Sequence, residues 1–465
     1  MKWAALLVTV LWGLVQCFGN LSAANVNSDE PVYLSAGWDY LHGDVSANLE
    51  HPPTAKYVLG VAQLLLGEGL LAGRLAAAAA TFLTGAILWF WLKRELGFVL
   101  ALIPAGLFLL LPRSSAGGPG RIDRFAILEP FMILFAVAAM AAAWAWARRE
   151  GARPWLMPLA GALLALSVTS KLTTAVLAPV VLIPLLMVGR RSRRRAWLGA
   201  AGFSAAFLVA AVLAYLPVHP VEAIRYLVEF QSEHNADGHL IDVAGAAYAF
   251  PPWWANLWFT AVGLGVPALA VLLAGVLLAL IAPRQRALVL YLGSATALLL
   301  VFHLAISSVA LPHYYAVWAW LLCALAGVGV AEALRGRLSL PPRVARGVGA
   351  VLLAASVVIG AVSTLGVLQE RPTGVARVAD ALRECGLDEG LVLVQGMSSG
   401  VYVPYLGDRY TTDPASEGIV AIAIQESARF PVDPAVTAYL EGPGASDEVL
   451  RLDGLDLVLT RGPLD

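Results

Sequence analysis

Charge is scarce in this sequence: Asp, Glu, Lys and Arg together make up 14% of its 465 residues. Soluble domains carry roughly 25%, so the chain lacks the charge to cover a water-facing surface. The formal net charge of −1 offers no general affinity for nucleic acid, and arginine far outnumbers lysine. Cysteine is scarce too. Cys17 and Cys323 lie in apolar stretches and Cys385 in a polar tail, with no C-x-x-C or metal-ligand spacing. Neither a disulfide framework nor a zinc site has support. No internal repeat of about 20–50 residues is visible, which argues against a solenoid.

What fills the space is apolar. Hydrophobic residues make up 59% and the mean hydropathy is +0.75, the composition of an all-α polytopic membrane protein. The run at 3–24 imitates a secretory leader with Ser22-Ala23-Ala24 as its cleavage site. It also imitates a lipoprotein signal at Leu14-Val15-Gln16-Cys17, where Gln16 is too large for the position. Its length approaches the ~20 residues that cross a bilayer, so it reads as an uncleaved first helix. Further runs follow at 72–92, 97–112, 126–147, 155–169, 172–189, 196–217, 256–282, 287–309, 313–333 and 347–368. The expected total is about eleven transmembrane helices.

Basic clusters at Lys93-Arg94, Arg148-Arg149, Arg190 to Arg195, Arg284 with Arg286, and Arg335 to Arg346 fall on alternate loops. By the positive-inside rule these loops are cytoplasmic, as is the N-terminus. The opposite, extracytoplasmic loops hold the acids and histidines. The arginine run at 190–195 is read as a topology anchor and not as a nucleic-acid patch.

The richest of the outer loops is 25–71, where Asp29, Glu30, Asp39, Asp44, Glu50, His42, His51 and Lys56 crowd together. His51-Pro52-Pro53 forces extended backbone there. Residues 56–71 read as a helix lying in the outer membrane interface. From Glu370 onward, charged residues and glycine return to soluble-protein frequency. V-A-R-V-A-D-A-L-R-E-C-G predicts an amphipathic helix ended by Gly386, and L-V-L-V-Q-G and L-D-L-V-L-T predict buried strands. The expected organisation is a transmembrane domain at 1–369 and a small extracytoplasmic α/β domain at 370–465.

Five motifs stand in order on the expected outer face: D-E-x-x-Y followed by H-P-P-x-x-K in the first loop, R-F-A-I-L-E-P at 124–130, S-V-T-S-K-L at 167–172, Q-S-E-H-N-A-D-G-H at 231–239, and P-H-Y-Y at 312–315. Together they resemble the protein O-mannosyltransferase family, and more loosely the related aminoarabinose transferases of lipid A, over residues 1–330. The family usually carries Asp where Glu129 stands, and the tail matches nothing.

The resemblance implies a GT-C glycosyltransferase using a polyprenyl-phosphate-linked sugar as donor. Such transfer needs a carboxylate to take the acceptor's proton. The motif position implies Asp29, with Glu30 as the alternative. The departing lipid phosphate must be met by fixed donors, for which Lys56, Arg124, Lys171, His51, His234, His239, His313 and Tyr314 are candidates, with Glu129 beside them. Each has a structural alternative: Arg124 snorkelling at a helix end, Glu129 pairing with Arg121 or Arg124, His313 and Tyr314 anchoring at the interface. With phosphate as leaving group, the expected mechanism inverts the anomeric centre and needs no metal and no cofactor.

The expected partners are the bilayer, a polyprenyl-phosphate sugar and an acceptor protein, glycolipid or polysaccharide, and the expected place is a bacterial inner membrane in the cell envelope. Two other functions fit the same composition. One is a transporter or flippase. The other is a metal-dependent oligosaccharyltransferase, for which Asp29-Glu30 with Asp123 or Glu129 would imitate the metal ligands.

Overall fold

A computed structural model describes residues 1–114, 121–148, 153–425 and 430–460, apart from the side chains of His234 and Ser399. Fifteen helices form the apolar part. They are α1 Lys2–Phe18, α2 Asp29–Leu41, α3 Thr54–Leu66, α4 Leu70–Leu96, α5 Leu102–Leu110, α6 Glu129–Arg148, α7 Leu156–Val168, α8 Ala178–Gly189, α9 Arg193–Tyr215, α10 Pro220–Asp237, α11 Ala255–Leu264, α12 Val266–Leu280, α13 Arg286–Val301, α14 Ala316–Leu334 and α15 Pro342–Gln369. All eleven apolar runs of the sequence are helical. Seven helical segments among the described residues are long and apolar enough to cross a membrane alone. The chain is a multi-pass membrane protein.

The runs at 3–24, 97–112 and 155–169 fold as shorter helices, α1, α5 and α7. The run at 256–282 is not the straight span the sequence predicts. It breaks into α11 and α12, bent by 105°. Gly265, at φ +74°, supplies a backbone conformation that L side chains rarely adopt, and Pro267 opens the second helix without needing an N–H partner. The interfacial helix is also displaced: α3 starts at Thr54 and ends at Leu66, and α4 begins at Leu70. Val61, Leu64, Leu65 and Leu66 of α3 stay exposed, the apolar face that lipid would cover.

Helix α14 is the centre of the bundle, buried along nearly its whole length. Among the described residues, the basic helix ends meet on one face. Glu95 at the end of α4 takes hydrogen bonds from Trp144 and Arg148 of α6, and its carbonyl accepts from Gln285. Arg335, just past α14, donates to the Leu96 carbonyl. The opposite ends of these helices carry Glu129, His303 and Tyr314.

Beyond α15 a five-stranded sheet forms from β3 Leu391–Gln395, β4 Tyr410–Thr411, β5 Ile419–Ile424, β6 Glu448–Arg451 and β7 Asp456–Leu459, in the order β4-β3-β5-β7-β6; β1 Ile241–Val243 and β2 Ala246–Tyr248 make a separate hairpin. Strand β3 runs parallel to β4 and β5, while β7 is antiparallel to β5 and β6. Both strands predicted in the tail are present, and the predicted helix forms at Val378–Glu384 after a 3-10 turn.

Candidate active site

The first outer loop folds as a helical hairpin of α2 and α3. The two cross at glycine: a Cβ on Gly60 would stand 2.1 Å from the Gly37 carbonyl oxygen, so only two bare backbones approach this closely. That contact holds the N-terminus of α2, and with it the two adjacent acids, against the bundle.

Successive residues of a helix point about 100° apart, and the two acids have opposite surroundings. Glu30 is fully buried. Its carboxylate accepts from Arg74 Nε at 2.8 Å and Nη2 at 2.7 Å, and from the backbone N–H groups of Asn27 and Ala126. Asp29 is half-buried, and among the described residues its carboxylate makes no hydrogen bond. It is close enough to Tyr33, Tyr314 and Lys171 for its charge to act on all three.

Opposite Asp29, three distant motifs converge. Lys171 pairs with Glu129, and His313 Nε2 lies 3.3 Å from the same carboxylate. Lys171 Nζ stands 4.3 Å from the ring centre of Tyr314. Burial acts to lower the Lys171 ammonium, but the Glu129 carboxylate outweighs it, so its proton is held more tightly than usual. Burial first, and then the Asp29 and Glu129 carboxylates, push the Tyr33 hydroxyl up. Tyr33 in turn meets His51 edge-to-face, 5.5 Å between rings. Asp29, Tyr33, His51, Glu129, Lys171, His313 and Tyr314 therefore form one polar cluster.

Two of the residues expected here, Glu30 and Lys56, have other work, and a third, Arg124, is partly engaged. Glu30 is committed to Arg74, which corrects its expected role as the alternative base. Lys56 is buried and donates to the Asn48 carbonyl and, at 2.8 Å, to the His51 carbonyl. It holds the loop that carries His51 and does not reach outward for a phosphate. Burial pushes its ammonium down to about 7, with Glu50 opposing.

Arg124 is buried under the chain after α1 and donates to the Gly19 carbonyl at 2.6 Å. Burial and the neighbouring Arg121 hold its guanidinium down to about 10. Its Nη1 has no hydrogen-bond partner among the described residues, so the single bond to Gly19 leaves the expected phosphate role standing as a proposal. His239 follows α10, with its backbone N–H on the Ala249 carbonyl. The His234 side chain lies outside the described residues.

Beneath the cluster, Asp123 is gripped by Arg113 and Arg121 at 2.8 Å each. Burial would raise its carboxyl, but the two guanidiniums hold it down to about 2. A folded-state value below the ordinary ~4 contributes stability above pH ~4 that is lost as pH falls toward 2. Thermal unfolding in detergent is expected to show this acid limb, and Asp123→Asn is expected to lack that part of it.

The tail is tied to the chain just before Asp29. Asn25 and Thr373 exchange hydrogen bonds of 2.8 and 3.1 Å. The Tyr405 hydroxyl accepts from the Val26 N–H at 3.1 Å. Sequence reasoning missed Tyr405, Arg74 and Tyr33 as participants. Tyr33 had a signal, because it ends the D-E-x-x-Y motif. Arg74, as an ionisable group entering an apolar run, had a weaker one.

Among the described residues, no three His, Cys, Asp or Glu side chains gather as a metal site. Three carboxylates at or near the cluster are matched to cations: Glu30 to Arg74, Asp123 to two arginines, Glu129 to Lys171.

A bundle of this kind, with acids at one set of helix ends and a sheet domain after the last helix, defines a class. The chain has the GT-C fold of membrane glycosyltransferases. Residues 50–218 match the family described as dolichyl-phosphate-mannose-protein mannosyltransferase. ArnT from Cupriavidus metallidurans bound to undecaprenyl phosphate superposes with a TM-score of 0.64 at 18% identity, over 99% of this chain and 98% of that one. The oligosaccharyltransferase of Archaeoglobus fulgidus in its apo form gives a TM-score of 0.57 at 9% identity, over 91% of this chain and 69% of the other. No curated protein sequence matches the chain.

Proposed function

We propose that this protein is an integral-membrane glycosyltransferase that moves a sugar from a polyprenyl-phosphate-linked donor to an acceptor hydroxyl on the extracytoplasmic side. The observation that carries the reading is the unpaired Asp29 carboxylate facing the Lys171–Glu129–His313 cluster. Asp29 takes the acceptor's proton as its oxygen attacks the anomeric carbon. The bond from that carbon to the phosphate oxygen breaks, and its electron pair leaves with the lipid phosphate. A single displacement inverts the centre.

The Lys171 ammonium has three donors, of which Glu129 and Tyr314 each draw one; the third, with His51, meets the charge growing on the phosphate. Glu129 keeps Lys171 charged and fixed. The undecaprenyl phosphate bound by the Cupriavidus protein and the name of the matched family support a polyprenyl-phosphate donor. The site lies at the helix ends opposite the basic clusters, which by the positive-inside rule supports an extracytoplasmic site in a bacterial inner membrane.

The test is transfer from radiolabelled polyprenyl-phosphate sugars in isolated membranes, with and without chelator. Transfer is expected to persist in chelator, because a phosphate leaving group met by fixed cations needs no metal. Chelator-sensitive transfer would favour the oligosaccharyltransferase type. Absence of transfer from every donor would favour a flippase, the function to which the bent α11–α12 pair is also suited.

A further inference from the structure

His303 and Asn256 are both buried, at 3% and 2% exposure, and neither belongs to the motifs read from the sequence. Neither nitrogen of the His303 ring has a hydrogen-bond partner among the described residues, and neither does Asn256 Oδ1. Buried polar side-chain atoms are rarely left so. The Asn256 Nδ2 group donates to the His303 carbonyl at 2.9 Å, which fixes the amide's orientation and ties the two residues together.

His303 sits on a π-helical turn, Phe302–Ile306, at the end of α13. Such turns frequently mark functional positions within helices. Its ring lies 5.0 Å from Trp318 and 5.6 Å from Tyr314, the same tyrosine that Lys171 contacts. The His303 ring is therefore one side chain away from the proposed phosphate-facing cation, and Asn256 is tied to it through the His303 carbonyl.

Their chemistry differs from that of Lys171. A neutral imidazole has one donor and one acceptor, and Asn256 Oδ1 is an acceptor. Two acceptors to one donor, without charge, cannot be satisfied by a phosphate, which brings no hydrogens at neutral pH. Hydroxyl groups, which donate and accept, satisfy all three.

We propose that His303 and Asn256 are specificity-determining residues that hydrogen-bond the hydroxyl groups of the donor's sugar, while the Lys171 cluster takes the phosphate. This rests on the donor class proposed above and names the part of that donor these residues read.

The experiment compares binding of undecaprenyl phosphate with that of undecaprenyl-phosphate mannose and undecaprenyl-phosphate glucose to the purified full-length protein. His303→Leu and Asn256→Leu are expected to weaken the sugar-bearing lipid that wild type prefers by about tenfold, the loss of one or two hydrogen bonds. Both variants are expected to bind sugar-free undecaprenyl phosphate as wild type does. His303→Gln, which keeps a donor and an acceptor, is expected to recover most of the loss and guards against a folding defect. Equal losses on both kinds of lipid, or none on either, would overturn the inference and assign the three atoms to ordered water. A wild type that binds none of the lipids would instead remove the donor class itself, and the inference with it.

Discussion

Asp29→Asn is expected to cut sugar transfer by about 10²–10⁴-fold, the range for loss of a general base, while leaving the protein folded and able to bind donor. The asymmetry follows from the surroundings of the carboxylate. It accepts no hydrogen bond among the described residues, and the N–H that anchors its backbone goes to Asn27 Oδ1 at 3.0 Å. An isosteric amide therefore leaves no buried group unpaired, and stability should change by no more than about 0.5 kcal/mol. What the amide cannot do is take a proton from the acceptor hydroxyl. Single-turnover transfer and donor affinity, measured on the same preparation, separate the two effects. Transfer within tenfold of wild type would exclude Asp29 as the base. A matching loss of donor affinity would make it a binding residue.

Glu30→Gln, one residue along, is expected to do the reverse. The Glu30 carboxylate takes two hydrogen bonds from Arg74 and one each from the Asn27 and Ala126 N–H groups. An amide offers one oxygen in place of two and turns an N–H₂ toward donors. Arg74, at 1% exposure, would keep a buried charge without its counter-ion. Breaking such a pair costs about 3–5 kcal/mol, read as a large fall in thermal unfolding temperature in detergent. The molecules that remain folded should still transfer. Replacing both partners by apolar residues, Glu30→Leu with Arg74→Met, should recover part of the loss, since it leaves no lone charge. A Glu30→Gln protein as stable as wild type but inactive would move the base from Asp29 to Glu30.

The pair shows where reading the sequence runs out. D-E at the end of a membrane span marks both residues equally, and only the approach of Arg74 from α4 and Ala126 from the loop before α6 tells them apart. Lys56 and Arg124 show the same limit. Each is a cation at the right height in the membrane, so each reads as a phosphate ligand. Whether it faces outward or is consumed by backbone carbonyls depends on which loop folds over it: Asn48 and His51 take the Lys56 ammonium, while Gly19 takes only one edge of the Arg124 guanidinium. His303 was hidden for another reason. It lies within an apolar run, and nothing local shows that its neighbours in space leave it without a partner.

By itself the sequence determined the apolar helices, the alternation of basic and acidic ends, two of the five strands of the tail sheet and the motifs that carry Asp29, Glu129, Lys171 and His313. These are properties of composition and period, which act over a few residues and survive without knowledge of the partner. Tertiary structure alone decided that Glu129, Lys171 and His313 share one carboxylate, that Glu30 is a strut beside an open Asp29, and that the tail reaches Val26 through Tyr405. A charge in a low-dielectric bundle takes its role from the nearest opposite charge, and for Glu30 and Glu129 that charge lies about forty or more residues away in the chain.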